Sequence, residues 1–170
     1  ITGSAGQLGR VMARTLAGCG ADIALHYNTS SAKAEELAQE IRQMGRRAFC
    51  VQADVCDLSQ VLAMRDAIVQ NMGGALDNAV IQYQWASVLE QPVEDYESQF
   101  RSCVLQNVHM AKAFVPAMVE NGWGRFIGIN TECSIQCFPG QSAYVSGKRG
   151  MDGVLRVLAK EVGEHQVTVN

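Results

Sequence analysis

Thr2-Gly3-Ser4-Ala5-Gly6-Gln7-Leu8-Gly9 decides how this chain is read. Glycines permit φ > 0 and let backbone N–H groups approach a pyrophosphate at a helix N-terminus. An amphipathic run through Val11, Met12, Leu16 and Ala17 follows at once. Before the turn, Ile1-Thr2-Gly3 reads as the last residues of a buried strand, and after the helix Asp22-Ile23-Ala24-Leu25-His26-Tyr27-Asn28 reads as a second strand. A glycine-rich loop alone is only a turn; strand before, helix after and a second strand following give it the context of nucleotide binding.

Outward from that unit the alternation continues. Ser31 to Met44 is a helix with Ala34, Leu37, Ala38 and Ile41 on one face and Gly45 as its stop. Ala48 to Val55 is the third strand; Asp54 at its carboxyl end is placed to touch an adenine edge, to cap the helix running to about Asn71, or both. Asn78–Tyr83, Val93–Met118 and Arg125–Asn130 follow as strand, helix and strand, with Gly122, Gly124 and Arg125 forming the turn before Phe126-Ile127-Gly128-Ile129. Pro139-Gly140 breaks the chain ahead of a last helix, and Val167-Thr168-Val169-Asn170 begins a sixth strand. The alternation implies an α/β fold, a parallel sheet covered on both faces.

At the carboxyl end of the second strand an acidic residue would hold the ribose 2′-hydroxyl of NAD. Tyr27, Asn28 and Thr29 stand there instead. With no carboxylate to repel a 2′-phosphate, NADP is favoured; with no arginine to hold it, NAD remains open.

The 170 residues predict one domain, 1–170, with 48% hydrophobic and 18% charged residues. A net charge of −3 gives no reason to expect nucleic acid or an anionic membrane as partner. No apolar run approaches the roughly 18 residues of a membrane span, and no secretory signal opens the chain, so a cytoplasmic location is expected. Cys19, Cys50, Cys56, Cys103, Cys133 and Cys137 show no metal or disulfide spacing, so free thiols and no metal are expected. No cysteine sits with a histidine in a nucleophile pattern, and His26, His109 and His165 read as structural or surface residues. With no initiator Met and barely half a strand at the start, the chain is expected to be a fragment.

Tyr144-Val145-Ser146-Gly147-Lys148 carries the chemistry. Four residues apart on a helix, Tyr144 and Lys148 project from one face. A phenol with a pKa of about 10 is a poor acid–base group at neutral pH; a nearby cation favours phenolate and makes it a plausible general acid or base.

Taken together, Thr2-Gly3 through Gly9, Ala53-Asp54-Val55, Asn78-Ala79, Pro116-Ala117-Met118, Gly124-Arg125, Tyr144 to Lys148 and the closing Val167 to Asn170 resemble the short-chain dehydrogenase/reductase family over essentially the whole chain. His26-Tyr27-Asn28 looks most like members that reduce 3-oxoacyl thioesters or related small carbonyl compounds. The resemblance implies a Rossmann-like doubly wound sheet, here incomplete at both ends, and hydride transfer between a nicotinamide and a carbonyl or alcohol carbon. Tyr144 would exchange the proton, while Lys148 would lower the Tyr144 pKa and hold the nicotinamide ribose. The substrate oxygen would be held at Thr131, thirteen residues before Tyr144, where the family has Ser; Ser134 is the reserve. For Thr131 the competing reading is a hydroxyl capping the next turn. Cofactor contacts are implied at Gly3, Ser4, Gly6, Gln7, Leu8, Gly9, Tyr27, Asn28, Thr29, Asp54, Val55, Asn78, Ala79, Tyr144 and Lys148. A homodimer or homotetramer is implied by analogy, through the helices around Val104–Met118 and after Lys148.

Three departures from the family pattern bear on activity. Gln7 stands where the middle glycine is usual, with Gly6 one place early. Leu76-Asp77 passes directly to Asn78-Ala79-Val80, as though about four residues, more than about 10 Å of paired backbone, were deleted or absent from the sequence. Val80 also adds bulk where Gly is usual, and Cys103 occupies the position of a relay Asn, with Asn107 one turn on as a possible substitute. The alternative function these suggest is a catalytically weakened member acting as a nucleotide-binding or scaffold subunit.

Overall fold

The computed structural model describes residues 1–72 and 84–170. Two compact units divide the chain, Ile1–Ala79 and Val80–Asn170. The expected strand Asn78–Tyr83, and with it Leu76-Asp77, Ala79 and Val80, lies outside the described residues.

In the first unit, β1 (Ile23–Tyr27) and β2 (Ala48–Gln52) pair in parallel from Ile23 opposite Ala48 to Tyr27 opposite Gln52. On the other side of β1 the chain start completes a ladder: the Ile1 amino group donates to Ala24 O at 2.8 Å and His26 N–H to Ile1 O at 3.2 Å. Ile1-Thr2-Gly3 therefore sits where the end of a strand would. β1 is buried from Ile23 through His26 without alternation, as a parallel strand covered on both faces requires. Helices α1 (Gln7–Gly18) and α2 (Ser31–Gln43) supply cover. Ala13 and Ala17 of α1 and Leu37, Ala38 and Ile41 of α2 form one core with Ile1, Ile23 and Leu25. Each fully buried Leu or Ile there contributes about 1.5–3 kcal/mol.

Helix α3 (Leu58–Asn71) corrects one expectation. Its cap is Asp57, whose carboxylate accepts from the N–H groups of Ser59 and Gln60, rather than Asp54. Asp54 Oδ1 instead accepts from Cys56 N–H at 2.9 Å, closing the turn after β2.

In the second unit, the helix expected over Val93–Met118 is α4 (Val93–Phe100) and α5 (Gln106–Glu120) joined by one wide π turn, Arg101–Leu105. Strands β3 (Gly124–Phe126) and β4 (Val167–Val169) pair in parallel, and the ladder runs on through Gly128 N–H to Asn170 O at 2.7 Å. A short helix α6 (Cys133–Gln136) precedes α7 (Ser142–Val162). Helix α7 lies close against α4 and the π turn at Gly147, where a Cβ would lie 2.9 Å from Gln99 O and 3.2 Å from Cys103 Cβ. At Gly153 a Cβ would meet nothing within 4 Å.

These two glycines therefore respond oppositely to alanine. Gly147→Ala is expected to destabilise by about 1–3 kcal/mol through overpacking. Gly153→Ala is expected to stabilise by about 0.5–1 kcal/mol by improving helix propensity. Urea midpoints of the two variants check this, and equal shifts would contradict the close contact.

Candidate active site

The glycine turn is fixed by backbone geometry. Gly3 adopts φ 59°, and Gly6 N–H returns to Gly3 O at 2.9 Å. At Gly9 a Cβ would sit 2.4 Å from Gly3 O and 2.8 Å from Ser4 Cα, so α1 can start against the turn only with hydrogen there. Gln7 is the first residue of α1 and needs no positive φ. The shift of the middle glycine to position 6 is thus accommodated, since Gly6 is the extended cap residue with ψ 169°.

This turn meets the requirements of a pyrophosphate. No side chain caps the N-terminus of α1 and no acidic residue stands in its first turn, so its amide dipoles have no internal anion. Ser4 anchors the turn, with N–H and Oγ both donating to His26 O, at 3.1 and 2.9 Å. Tyr27, Asn28 and Thr29 leave the carboxyl end of β1, with Asn28 and Thr29 exposed. Asp54 and Val55 leave the same end of β2, which Ala53 N–H ties to Tyr27 O at 3.2 Å. The carboxyl edge of parallel strands is where α/β folds take ligands.

In the second unit Thr131, Tyr144 and Lys148 come together. Thr131 Oγ1 accepts from Cys133 N–H at 3.3 Å, closing the turn that leads into α6. The same hydroxyl also acts on the Tyr144 phenol, in the sense that favours phenolate. Ser134, the reserve candidate, is buried with Oγ turned to Thr131 O at 2.7 Å. Lys148 is 5% exposed; its Nζ donates to Ile129 O at 2.6 Å and lies 5.9 Å from the centre of the Tyr144 ring.

The direction expected for Tyr144 is reversed. Burial raises its pKa above the ordinary phenol value, and the Thr131 hydroxyl opposes that rise only in part. The Lys148 ammonium is anchored on the Ile129 carbonyl, 5.9 Å from the ring centre, and the balance of the groups around the phenol leaves its pKa raised.

Cys103 is fully buried in the π turn, with Sγ directed to Gln99 Oε1 at 3.8 Å. Burial raises the pKa of this thiol and, foremost among its causes, pushes Cys50 up to about 11, which leaves little thiolate at either. Asn107 Nδ2 donates to Cys103 O at 2.8 Å. Its buried Oδ1 has no hydrogen-bond partner among the described residues and faces the strand segment at Gly128, whose Cβ would lie 3.2 Å away. His26, read from the sequence as a structural or surface histidine, is structural: its buried ring bonds the glycine turn itself, a specific partner that only a lone histidine inside a buried strand could have signalled. Asn78 and Ala79 lie outside the described residues. Among those described, no cluster of His, Cys, Asp and Glu offers a metal site, and no helix is long and apolar enough to cross a membrane.

Comparison with known proteins places this geometry. The chain is 30% identical over 174 residues to D-beta-hydroxybutyrate dehydrogenase of Rhizobium meliloti, covering 100% of this chain and 67% of that protein. It is 29% identical over 180 residues to a 3-oxoacyl-(acyl-carrier-protein) reductase of Staphylococcus aureus, covering 100% and 70%. A blue fluorescent protein from a metagenomic library, solved in complex with NADPH, superposes with a TM-score of 0.91 at 30% identity, covering 100% of this chain and 70% of that one. The fold is accordingly the α/β, Rossmann-like fold of these dehydrogenases. The family profile described as short chain dehydrogenase matches residues 1–170, and the chain belongs to that family of oxidoreductases.

Proposed function

We propose that the protein transfers hydride between a nicotinamide dinucleotide, NADP in preference to NAD, and a small carbonyl or alcohol substrate, with Tyr144 as general acid–base. The observation that carries this reading is that the second unit brings the Tyr144 phenol, the Thr131 hydroxyl and the buried Lys148 ammonium together, with Nζ 5.9 Å from the Tyr144 ring centre. The bound dinucleotide would supply the hydride. Gly3, Ser4, Gly6, Gln7, Leu8 and Gly9 would receive its pyrophosphate, and Tyr27, Asn28 and Thr29 its adenosine ribose. Asp54 and Val55 would border the adenine, and Lys148 with Tyr144 would hold the nicotinamide ribose; Asn78 and Ala79 are assigned by resemblance alone.

Support for NADP is that the residues after β1 carry no carboxylate to repel a 2′-phosphate. A relative acting on 3-oxoacyl thioesters and one acting on a hydroxy acid support a small oxygenated substrate. In reduction, Tyr144 gives its proton to the substrate oxygen; in oxidation it takes one. Thr131 orients that oxygen, and Asn107, already on the Cys103 carbonyl, takes the place of the usual relay Asn. An active enzyme is therefore preferred to a scaffold subunit. We read 1–170 as one nucleotide-binding domain of a cytoplasmic homodimer or homotetramer. The exposed Phe100 and Val157, on α4 and α7, fit self-association.

Two experiments test the assignment. Tyr144→Phe is expected to lower kcat about 10²–10⁴-fold on ketones and 3-oxoacyl thioesters, with NADPH affinity, read by fluorescence titration, weakened by no more than about tenfold through the loss of one ribose contact. Retained turnover would sink the acid–base role. In the nucleotide-free protein, ultraviolet difference titration against Tyr144→Phe is expected to place Tyr144 above the ordinary value of about 10. Thr131→Val should move it further up by removing a hydroxyl that favours phenolate, while Thr131→Ser should not. A downward move in the Val variant would remove Thr131 from the site.

A further inference from the structure

We propose that His26 is a positioning residue, a latch that sets the nucleotide-binding turn against the end of β2 and that acid releases. Its place in β1 gives each ring nitrogen a partner on a different loop. Nδ1 accepts from Gly3 N–H at 3.0 Å, and Nε2 lies 2.9 Å from Ala53 O. Because Nδ1 accepts, the proton is on Nε2, which donates to Ala53 O. Only the neutral Nε2–H tautomer makes both bonds. Gly3 begins the turn and Ala53 adjoins Asp54, so one ring spans the two loops assigned to pyrophosphate and adenine.

The latch has no slack. The ring is in a residue 3% exposed, and the residue's backbone N–H and C=O are already committed to Ile1 and Ser4. A proton on Nδ1 would turn its lone pair into a donor aimed at the Gly3 N–H, and the turn would have to move away. Burial sets the ring's pKa below its usual value, while the backbone bond to Ala53 and the Asp54 carboxylate favour protonation. The other neighbours, Val51 across the ladder and Gly3 and Ser4 in the turn, carry no charge. A histidine with a lowered folded pKa binds its proton more readily when unfolded. The latch is therefore intact above about pH 6.5 and is lost as pH falls through the folded value.

This inference rests on the proposed role of the glycine turn, so the test separates the two. In the full chain, labelled with ¹⁵N, the His26 ring nitrogens and Gly3 amide exchange are followed from about pH 8 to about pH 5. Over the same range NAD⁺ and NADP⁺ affinities are measured by calorimetry for wild type, His26→Asn and His26→Phe. Asn keeps an acceptor for Gly3 N–H but does not titrate. The expected result is an Nε2–H ring at neutral pH that protonates below its ordinary value, with the protection of Gly3 N–H relative to an unstructured amide at the same pH falling in step. Wild-type affinity should fall about tenfold through that transition. The Asn variant should show near wild-type neutral affinity and lack that fall, the comparison cancelling the nucleotide's own titration, and Phe should bind weakly at every pH. An Nδ1–H tautomer, titration at or above the ordinary value, or the same acid loss in the Asn variant would each overturn the latch. If wild type binds neither nucleotide at neutral pH, the assigned site fails, and ring protonation with Gly3 exchange still decides for or against the latch. The same wild-type readout decides if the variants do not fold.

Discussion

A missing Cβ is the constraint on which both units depend. Helix α1 begins against the backbone of Gly3 and Ser4, at a separation that hydrogen tolerates and a methyl group does not. Were α1 to stand off by even an ångström, its first amides would leave the carboxyl edge of β1, and the turn would lose its bonds to His26. In the second unit Gly147 lets α7 lie against Gln99 and Cys103. Tyr144 and Lys148 are carried on that same helix, less than one turn to either side. In each unit the residue that permits the packing also positions the chemistry beside it.

Close packing leaves polar groups with little choice of partner. A buried Lys148 needs an acceptor, and Ile129 O, at the end of the β3 segment, supplies one. A π turn disturbs the regular ladder of carbonyl bonds. Here Gln106 N–H reaches Arg101 O, and the Asn107 side chain takes the Cys103 carbonyl. That amide leaves Oδ1 buried and pointed toward Gly128, with no donor to it among the described residues. Such a group costs about 1–3 kcal/mol when unsatisfied, which makes it a better candidate for a functional acceptor than for a structural one.

Much of the architecture was legible because it is written locally. Ala34, Leu37, Ala38 and Ile41 mark the buried face of α2 by spacing alone, and the glycine turn announces the start of α1. The Tyr144 helix follows its Pro139-Gly140 breaker as read. What failed to show is non-local or degenerate. Asp54 and Asp57 are chemically equal caps three residues apart, and only the path of the chain chooses Asp57. Nothing near position 103 signals a π turn, since its residues suit an α-helix equally well. The partners of His26 are invisible for a related reason: Gly3 and Ala53 are 23 and 27 residues away and offer backbone atoms rather than side chains.

Tyr144 shows how spacing can identify a pair and still mislead about its electrostatics. Four residues on a helix bring phenol and ammonium to one face, but the reach of a lysine side chain is long enough to select a different oxygen. Nζ is held by Ile129 O, and desolvation of the phenol is the largest influence on its pKa. The protonated phenol is then the favoured form, and the Thr131 hydroxyl is the group that opposes it. Thr131 Oγ1 in turn accepts from Cys133 N–H, so the hydroxyl that closes the turn into α6 is also the one that favours phenolate at Tyr144, and the turn-closing role does not compete with the proposed one.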